Sequence, residues 1–190
     1  MGALNACCWF KYGLMIQDTT VILVNFVGAT LMSCYTICFY YFCTRRLSLQ
    51  KQIVSAFSFF VTLNLYLTYG ESDAASGRYM CGLVASGFAI GFFASPLATL
   101  VHVVRTRSTS TLPFYMILAN FLLTAQWFLY GIILEDAFIK IPNFLGWCLA
   151  TIQLALFFIY PSDSEDRIEL ISSFNGARPK ERKPSVPILP

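Results

Sequence analysis

Apolar residues run along this chain in blocks, with short polar breaks between them. Five blocks extend over Thr19 to Phe42, Ile53 to Tyr69, Met80 to Val104, Pro113 to Leu134 and Ala137 to Tyr160. A bilayer core about 30 Å thick is crossed by roughly 20 apolar residues of helix. Each block is thus expected to be a membrane helix, the second being the shortest at 17 residues. The first 14 residues are also apolar but reach only about 21 Å as helix. They lack the charged start of a signal peptide. The expected connections are Thr44 to Gln52, Gly70 to Tyr79, Arg105 to Leu112, and the tight Glu135–Asp136 turn. After Pro161 the pattern turns polar, and a disordered tail is expected there.

Shifting the chain by 118 positions aligns it with itself without a gap. Trp9, Phe10, Tyr12, Gly13 and Asp18 fall on Trp127, Phe128, Tyr130, Gly131 and Asp136. Asn25, Phe26, Gly28, Leu31 and Phe39 fall on Asn143, Phe144, Gly146, Leu149 and Phe157. Biased apolar composition produces chance Phe and Leu matches, but not Trp, Tyr, Asp, Asn and two Gly in register. The repeated unit is a helix, a tight turn and a second helix. A single helix, Ile53 to Tyr69, reorients the chain between the copies, so the repeats are parallel.

Composition narrows the class. The chain of 190 residues is 57% hydrophobic and 12% charged, with a mean hydropathy of +0.64. Soluble domains lie nearer 45–50% and about 25%. The seven Cys sit almost wholly in apolar runs and read as free thiols. Cys34 and Cys38, one helical turn apart, are joined by no His or carboxylate, so no metal site is expected. No basic block is interleaved with exposed aromatics, so nucleic acid is not an expected partner. Of the 13 Lys and Arg, 10 fall on one side of the proposed topology, which places that side and the tail in the cytoplasm.

Helix arithmetic turns the repeat into a site. Trp127 lies eight residues before Glu135 and Asn143 eight after it; Trp9 and Asn25 stand likewise about Gln17. All four then lie about 12 Å below the outer end of the helices. Indole faces stack on a sugar ring, and amides match its hydroxyls in both senses. The layer Trp9, Asn25, Trp127 and Asn143 is therefore the expected binding site for a neutral sugar. Tyr12, Tyr130, Asp18 and Asp136 lie further out. The aspartates read either as helix N-caps or, with the tyrosines, as an outer gate bonded across the repeats. Pro96, inside a helix, reads as a kink or hinge, and Pro113 as a helix start. His102 has no intramembrane acid beside it, so proton coupling has no support. There is no nucleophile–base pair or phosphate loop, so an enzyme is not expected, nor any cofactor.

These residues resemble the SWEET, or saliva-type, sugar-facilitator family. The second half carries its pattern: Ser95-Pro96-Leu97, Arg105-Thr106-Arg107-Ser108-Thr109, Pro113-Phe114, Trp127-Phe128-Leu129-Tyr130-Gly131, Asp136, and Pro142-Asn143-Phe144 with Gly146. The resemblance covers about Asn5 to Pro161. It implies seven helices in two three-helix bundles joined by a linker helix, with a cytoplasmic C-terminus. The five blocks match the third to the seventh. It also implies pocket residues at Trp9, Asn25, Trp127 and Asn143, an outer gate at Tyr12 and Asp136, and gating prolines at Pro96 and Pro113. The family's first helix and the start of its second have no counterpart here.

The fold class expected is an all-α polytopic membrane protein, with two parallel three-helix repeats, the first incomplete, joined by a linker helix. Residues 1–43 form the partial first repeat, 44–78 the cytoplasmic loop, linker helix and outer loop, 79–160 the complete second repeat, and 161–190 the tail. The expected function is facilitative transport of a small sugar, a monosaccharide such as glucose, by alternating access in the plasma membrane or Golgi. The expected partners are the sugar, the bilayer, and further copies or related subunits in an oligomer. Two rivals stand beside this reading: a non-transporting regulator that oligomerises with full-length subunits, and a cargo receptor.

Overall fold

A computed structural model describes residues 2–70 and 73–160. Within them the chain forms seven helices: α1 Gly2–Ile16, α2 Thr19–Phe42, α3 Arg46–Leu65, α4 Ala74–Gly91, α5 Ala94–Thr106, α6 Phe114–Ile133 and α7 Ala137–Ile159. A π-helical turn, Tyr66–Gly70, continues α3. Five spans are long and apolar enough to cross a membrane, with α4 and α5 counted as one. Large apolar side chains point outward along almost all of α2, from Leu23 to Phe42. Water would not tolerate so large an apolar surface on a soluble monomer; lipid does.

α1 packs on α2 and α6 on α7, as two antiparallel hairpins. α4 bridges them, touching both α1 and α7, while α3 packs on α1 and meets α4 edge-on through Phe59 and Phe88. One core cluster lies between the repeats, around Cys8, Trp9, Tyr12, Val21, Cys81 and Ile139. A second lies inside the later repeat, around Val103, Leu112, Ile117, Ala150 and Leu156.

The 118-residue offset persists in three dimensions. Gln17 and Glu135 end their helices at φ 56° and 54°. The amides of Asp18 and Asp136 then donate to the carbonyls of Gly13 and Gly131, at 3.1 and 3.0 Å. This left-handed residue with a six-residue closure is the Schellman way of satisfying the last carbonyls. The two glycines answer a close approach. A Cβ at Gly131 would stand 2.7 Å from the Lys140 amide nitrogen, and one at Gly13 would stand 3.0 Å from that of Ile22. Backbone cannot yield there as a flexible side chain can.

Three boundaries differ from the apolar pattern. The linker helix starts at Arg46, so Arg46 and Lys51 lie on helix rather than in a connection. Hydropathy falls at these residues, but none of them breaks a helix, and their long stems carry the charge to the membrane surface. α4 starts at Ala74, inside the expected Gly70–Tyr79 connection, because the Asp73 carboxylate accepts from the Ser76 amide at 3.2 Å. The expected Met80–Val104 helix is broken at Phe92–Phe93. Pro96 explains the place, since its ring excludes the carbonyl four residues earlier, that of Phe92. Pro113 is the N-cap of α6. The tail from residue 161, with its expected disorder and cytoplasmic charges, lies outside the described residues.

Candidate functional site

Pro142 sits inside α7 and is buried. Having no N–H, it leaves the Phe138 carbonyl without its helical donor. The Ser86 hydroxyl of α4 supplies one instead, at 2.9 Å. Gly82, one turn earlier on α4, lets that helix close in: a Cβ there would lie 2.6 Å from the Phe138 ring and 2.8 Å from the Tyr12 ring. α4 is thus fastened to α7 and pressed on α1. The two hairpins are held face to face.

Between them lies a cavity of about 210 Å³. Trp9, Asn25, Trp127 and Asn143 all line it, joined by Asn5, Val21, Val24, Ala89 and Ile139. No charged side chain is among them. The two copies repeat each other here in detail. The Asn25 amide donates to the Val21 carbonyl at 2.9 Å and that of Asn143 to the Ile139 carbonyl at 2.7 Å. Spending Nδ2 on its own helix turns each amide and leaves the carbonyl oxygen for another donor. Val21 and Ile139, whose carbonyls hold the amides, are each only 1% exposed. Trp9 meets the edge of Tyr12 with ring centres 5.8 Å apart, and Trp127 meets Tyr130 at 5.7 Å.

Asn5 was not singled out in the sequence. Its Oδ1 is buried and accepts no hydrogen bond. A polar residue one turn before Trp9, in an apolar helix, is the signal that points to it; it has no polar counterpart, because the 118 offset places it on Leu123. It gives the first repeat an acceptor that the second lacks. Trp147 was also passed over. It is not among the residues that line the cavity, and its ring stacks on Phe128 with centres 5.9 Å apart.

At the end of the cavity nearer the α1–α2 and α6–α7 turns the tyrosines and aspartates pair across the repeats. The Tyr12 hydroxyl donates to Asp136 Oδ2 at 2.7 Å. The Tyr130 hydroxyl donates to both oxygens of Asp18, at 2.8 and 3.0 Å. Each aspartate also caps its own helix. Asp18 accepts from the Val21 amide at 2.8 Å, and Asp136 accepts from the amides of Phe138 and Ile139 at 2.8 and 3.2 Å. Capping and cross-repeat pairing therefore occur on the same carboxylates. Pro96, in the first turn of α5, and Pro113, the N-cap of α6, are not among the residues that line the cavity. Among the described residues no group of His, Cys, Asp and Glu is placed to hold a metal.

Comparison with known proteins places this geometry in a family. The family model described as "Sugar efflux transporter for intercellular exchange" matches residues 1–47 and 79–165. The chain is 35% identical over 164 residues to "Sugar transporter SWEET1" of Drosophila pseudoobscura pseudoobscura, covering 86% of this chain and 73% of that one. It is 33% identical to the protein of the same name in Xenopus tropicalis, covering 84% and 75%. It is 32% identical to "Bidirectional sugar transporter SWEET1" of Arabidopsis thaliana, covering 80% and 62%. Among solved structures, a eukaryotic SWEET transporter at 3.7 Å superposes with a TM-score of 0.75 at 34% identity, covering 82% of this chain and 75% of that chain.

Proposed function

The chain belongs to the SWEET family of sugar transporters, and from that premise we propose that it carries a monosaccharide such as glucose, as a uniporter working by alternating access. The observation that carries this reading is the cavity that joins both Trp–Asn pairs. It is neutral, and it offers two indole faces with amide oxygens turned toward the middle. Such a lining suits a solute with apolar ring faces and several hydroxyl donors, and supplies no partner for an ion. Its volume is equivalent to about seven waters at about 30 Å³ each. It lies below the 300–1,000 Å³ of drug-sized sites, which favours one sugar ring over two.

In this reading the crossed Tyr–Asp pairs are the outer gate. They hold the site closed on the non-cytoplasmic side, and bending at Pro96 and Pro113 accompanies opening on the other. Residues 1–43 and 79–160 move as the two repeats, with 44–78 linking them. The basic side of the topology faces the cytoplasm, as does the C-terminus, and the membrane is the plasma membrane or the Golgi. Association with further copies or related subunits belongs to the same reading.

Flux of radiolabelled glucose into proteoliposomes holding this protein tests it. Uptake should run down the gradient, be insensitive to a pH gradient, and be weakened about tenfold by Asn143→Ala, on the order of one lost hydrogen bond to the sugar. Absence of flux, or an Asn143→Ala protein that binds sugar as well as before, would sink the proposal.

A further inference from the structure

The connection between α5 and α6 carries four hydroxyls in succession, Ser108, Thr109, Ser110 and Thr111. Two of its residues pin it to the second repeat. The Thr109 hydroxyl donates to the Tyr160 carbonyl at 3.3 Å, and Leu112 enters the core cluster of Val103 and Ile117. The Leu112 amide donates to the Thr109 carbonyl at 2.9 Å. That bond closes a four-residue turn with Ser110 and Thr111 at its tip. Both tip residues are exposed, while Thr109 is only 1% exposed. Ser108 is half-buried, and its hydroxyl donates to Ser110 Oγ at 3.1 Å.

Arg105 and Arg107 stand five and three residues before Ser110. Both are exposed, and no Asp or Glu occurs from Ala74 to Leu134. Among the described residues neither arginine makes an ion pair. Two free guanidinium forks at this spacing before a hydroxyl suit a kinase cleft that reads arginine through bidentate carboxylate contacts. Such a cleft takes extended chain. α5 ends at Thr106, so only its last turn, which frays most easily, has to open. Ser48 also follows two cations, Arg45 and Arg46, but it lies inside the first turn of α3, where an extended fit would unwind the helix start. α6, meanwhile, lacks what a phosphate supplies. Its N-cap is Pro113, and no side chain caps its first amides. A helix N-terminus favours a phosphate dianion, and Ser110 stands three residues before Pro113.

We propose that Ser110 is a phosphorylation site for a basophilic, ATP-dependent serine kinase. Ser110 Oγ attacks the γ-phosphorus of ATP, the bond to the β-phosphate oxygen breaks, ADP leaves, and the hydroxyl proton passes to the kinase's base. The phosphate pairs with Arg107 and the open end of α6, and so stiffens the chain at Pro113. The site rests on the cytoplasmic orientation proposed above, and its effect on flux rests on the transport reading.

The test incubates the full chain in detergent, where both faces are accessible, with ATP and a kinase that selects arginine five and three residues before its serine. Fragmentation mass spectrometry should place phosphate on Ser110. Arg105→Ala and Arg107→Ala should each slow its incorporation about tenfold, the loss of one charge-assisted contact, and Ser108→Ala should not. Before phosphorylation, Ser110→Ala should melt with the unaltered chain, showing that it folds. Orientation is read separately: an impermeant maleimide should label Ser110→Cys above the unaltered chain after digitonin opens the plasma membrane, and not before. Phosphate should slow glucose flux in proteoliposomes several-fold, and kinase treatment should leave Ser110→Ala flux unaltered. A chain without flux before treatment would count against transport, and the mapped phosphate would still decide the site. Absence of phosphate on Ser110, its appearance on Ser48 or Ser108 instead, incorporation indifferent to both arginines, or labelling of Ser110→Cys before digitonin would each overturn the proposal. Flux unmoved by phosphate on Ser110 would overturn the stiffening at Pro113.

Discussion

At the residue scale, Asp18 and Asp136 show how one carboxylate serves two purposes. Each has two oxygens with several lone pairs, enough for the first amides of its own helix and for a tyrosine of the other repeat. The two roles separate on substitution. Asp136→Asn keeps an acceptor for the Phe138 and Ile139 amides but replaces the charged acceptor for Tyr12. Asp136→Ala loses both. Both should leave the outer side more open, read by labelling of a cysteine placed at Val24 with an impermeant reagent. Only the Ala variant should melt markedly lower, by an N-cap cost of about 0.5–2 kcal/mol. Equal melting of the two would show that the cap contributes nothing here. Much at this scale was legible in the chain. The four residues of the Trp–Asn layer could be placed at one depth because a helix rises by a constant step on either side of a tight turn. Asn5 was not, since it belongs to no repeated pair. It matters only because α1 turns it into the space between the hairpins.

At the element scale, two prolines act in opposite senses. Pro96 breaks a helix, and the helical run stops and restarts at Phe92–Phe93. Pro142 sits in an unbroken α7 because Ser86 of α4 takes up the carbonyl it frees. Ser86→Ala should therefore cost about 1–3 kcal/mol, the price of a buried acceptor left unmade, measurable as a lower melting temperature. A Ser86→Ala, Pro142→Ala double variant should recover part of it, since the helix then supplies its own donor. No recovery would show that Ser86 does not compensate for the proline. Pro96→Ala should let α4 and α5 join as one helix. Stability should hold or rise while flux falls several-fold; unchanged flux would remove the hinge from the mechanism. The break itself was not placed by the apolar pattern, which runs on without pause through Phe92 and Phe93. Hydropathy reports what lipid will accept, not where the hydrogen-bond ladder stops. The same limit hid the true start of α3, where charges interrupt the apolar run but not the helix.

At the scale of the whole molecule, the two cross-repeat bonds tie the same pair of bodies together. Breaking either one loosens the clamp on which the other depends. Tyr12→Phe and Tyr130→Phe should each raise outward accessibility modestly, and the double variant should exceed their sum. The coupling in a double-mutant cycle should be about 0.5–3 kcal/mol. Strict additivity would mean that the two bonds open independently, and the gate would not be a single device. The sequence by itself determined the membrane helices, the duplication and the shared depth of the paired residues. Those follow from composition and from the fixed rise of a helix, which are properties of the chain taken locally. The tertiary structure alone decided that the two hairpins face each other about a neutral cavity. It also decided that each tyrosine reaches the other repeat's aspartate, and that α4 approaches closely enough to hold α7 through one serine. These depend on how surfaces hundreds of atoms apart in the chain fit against one another, and no local pattern encodes that distance.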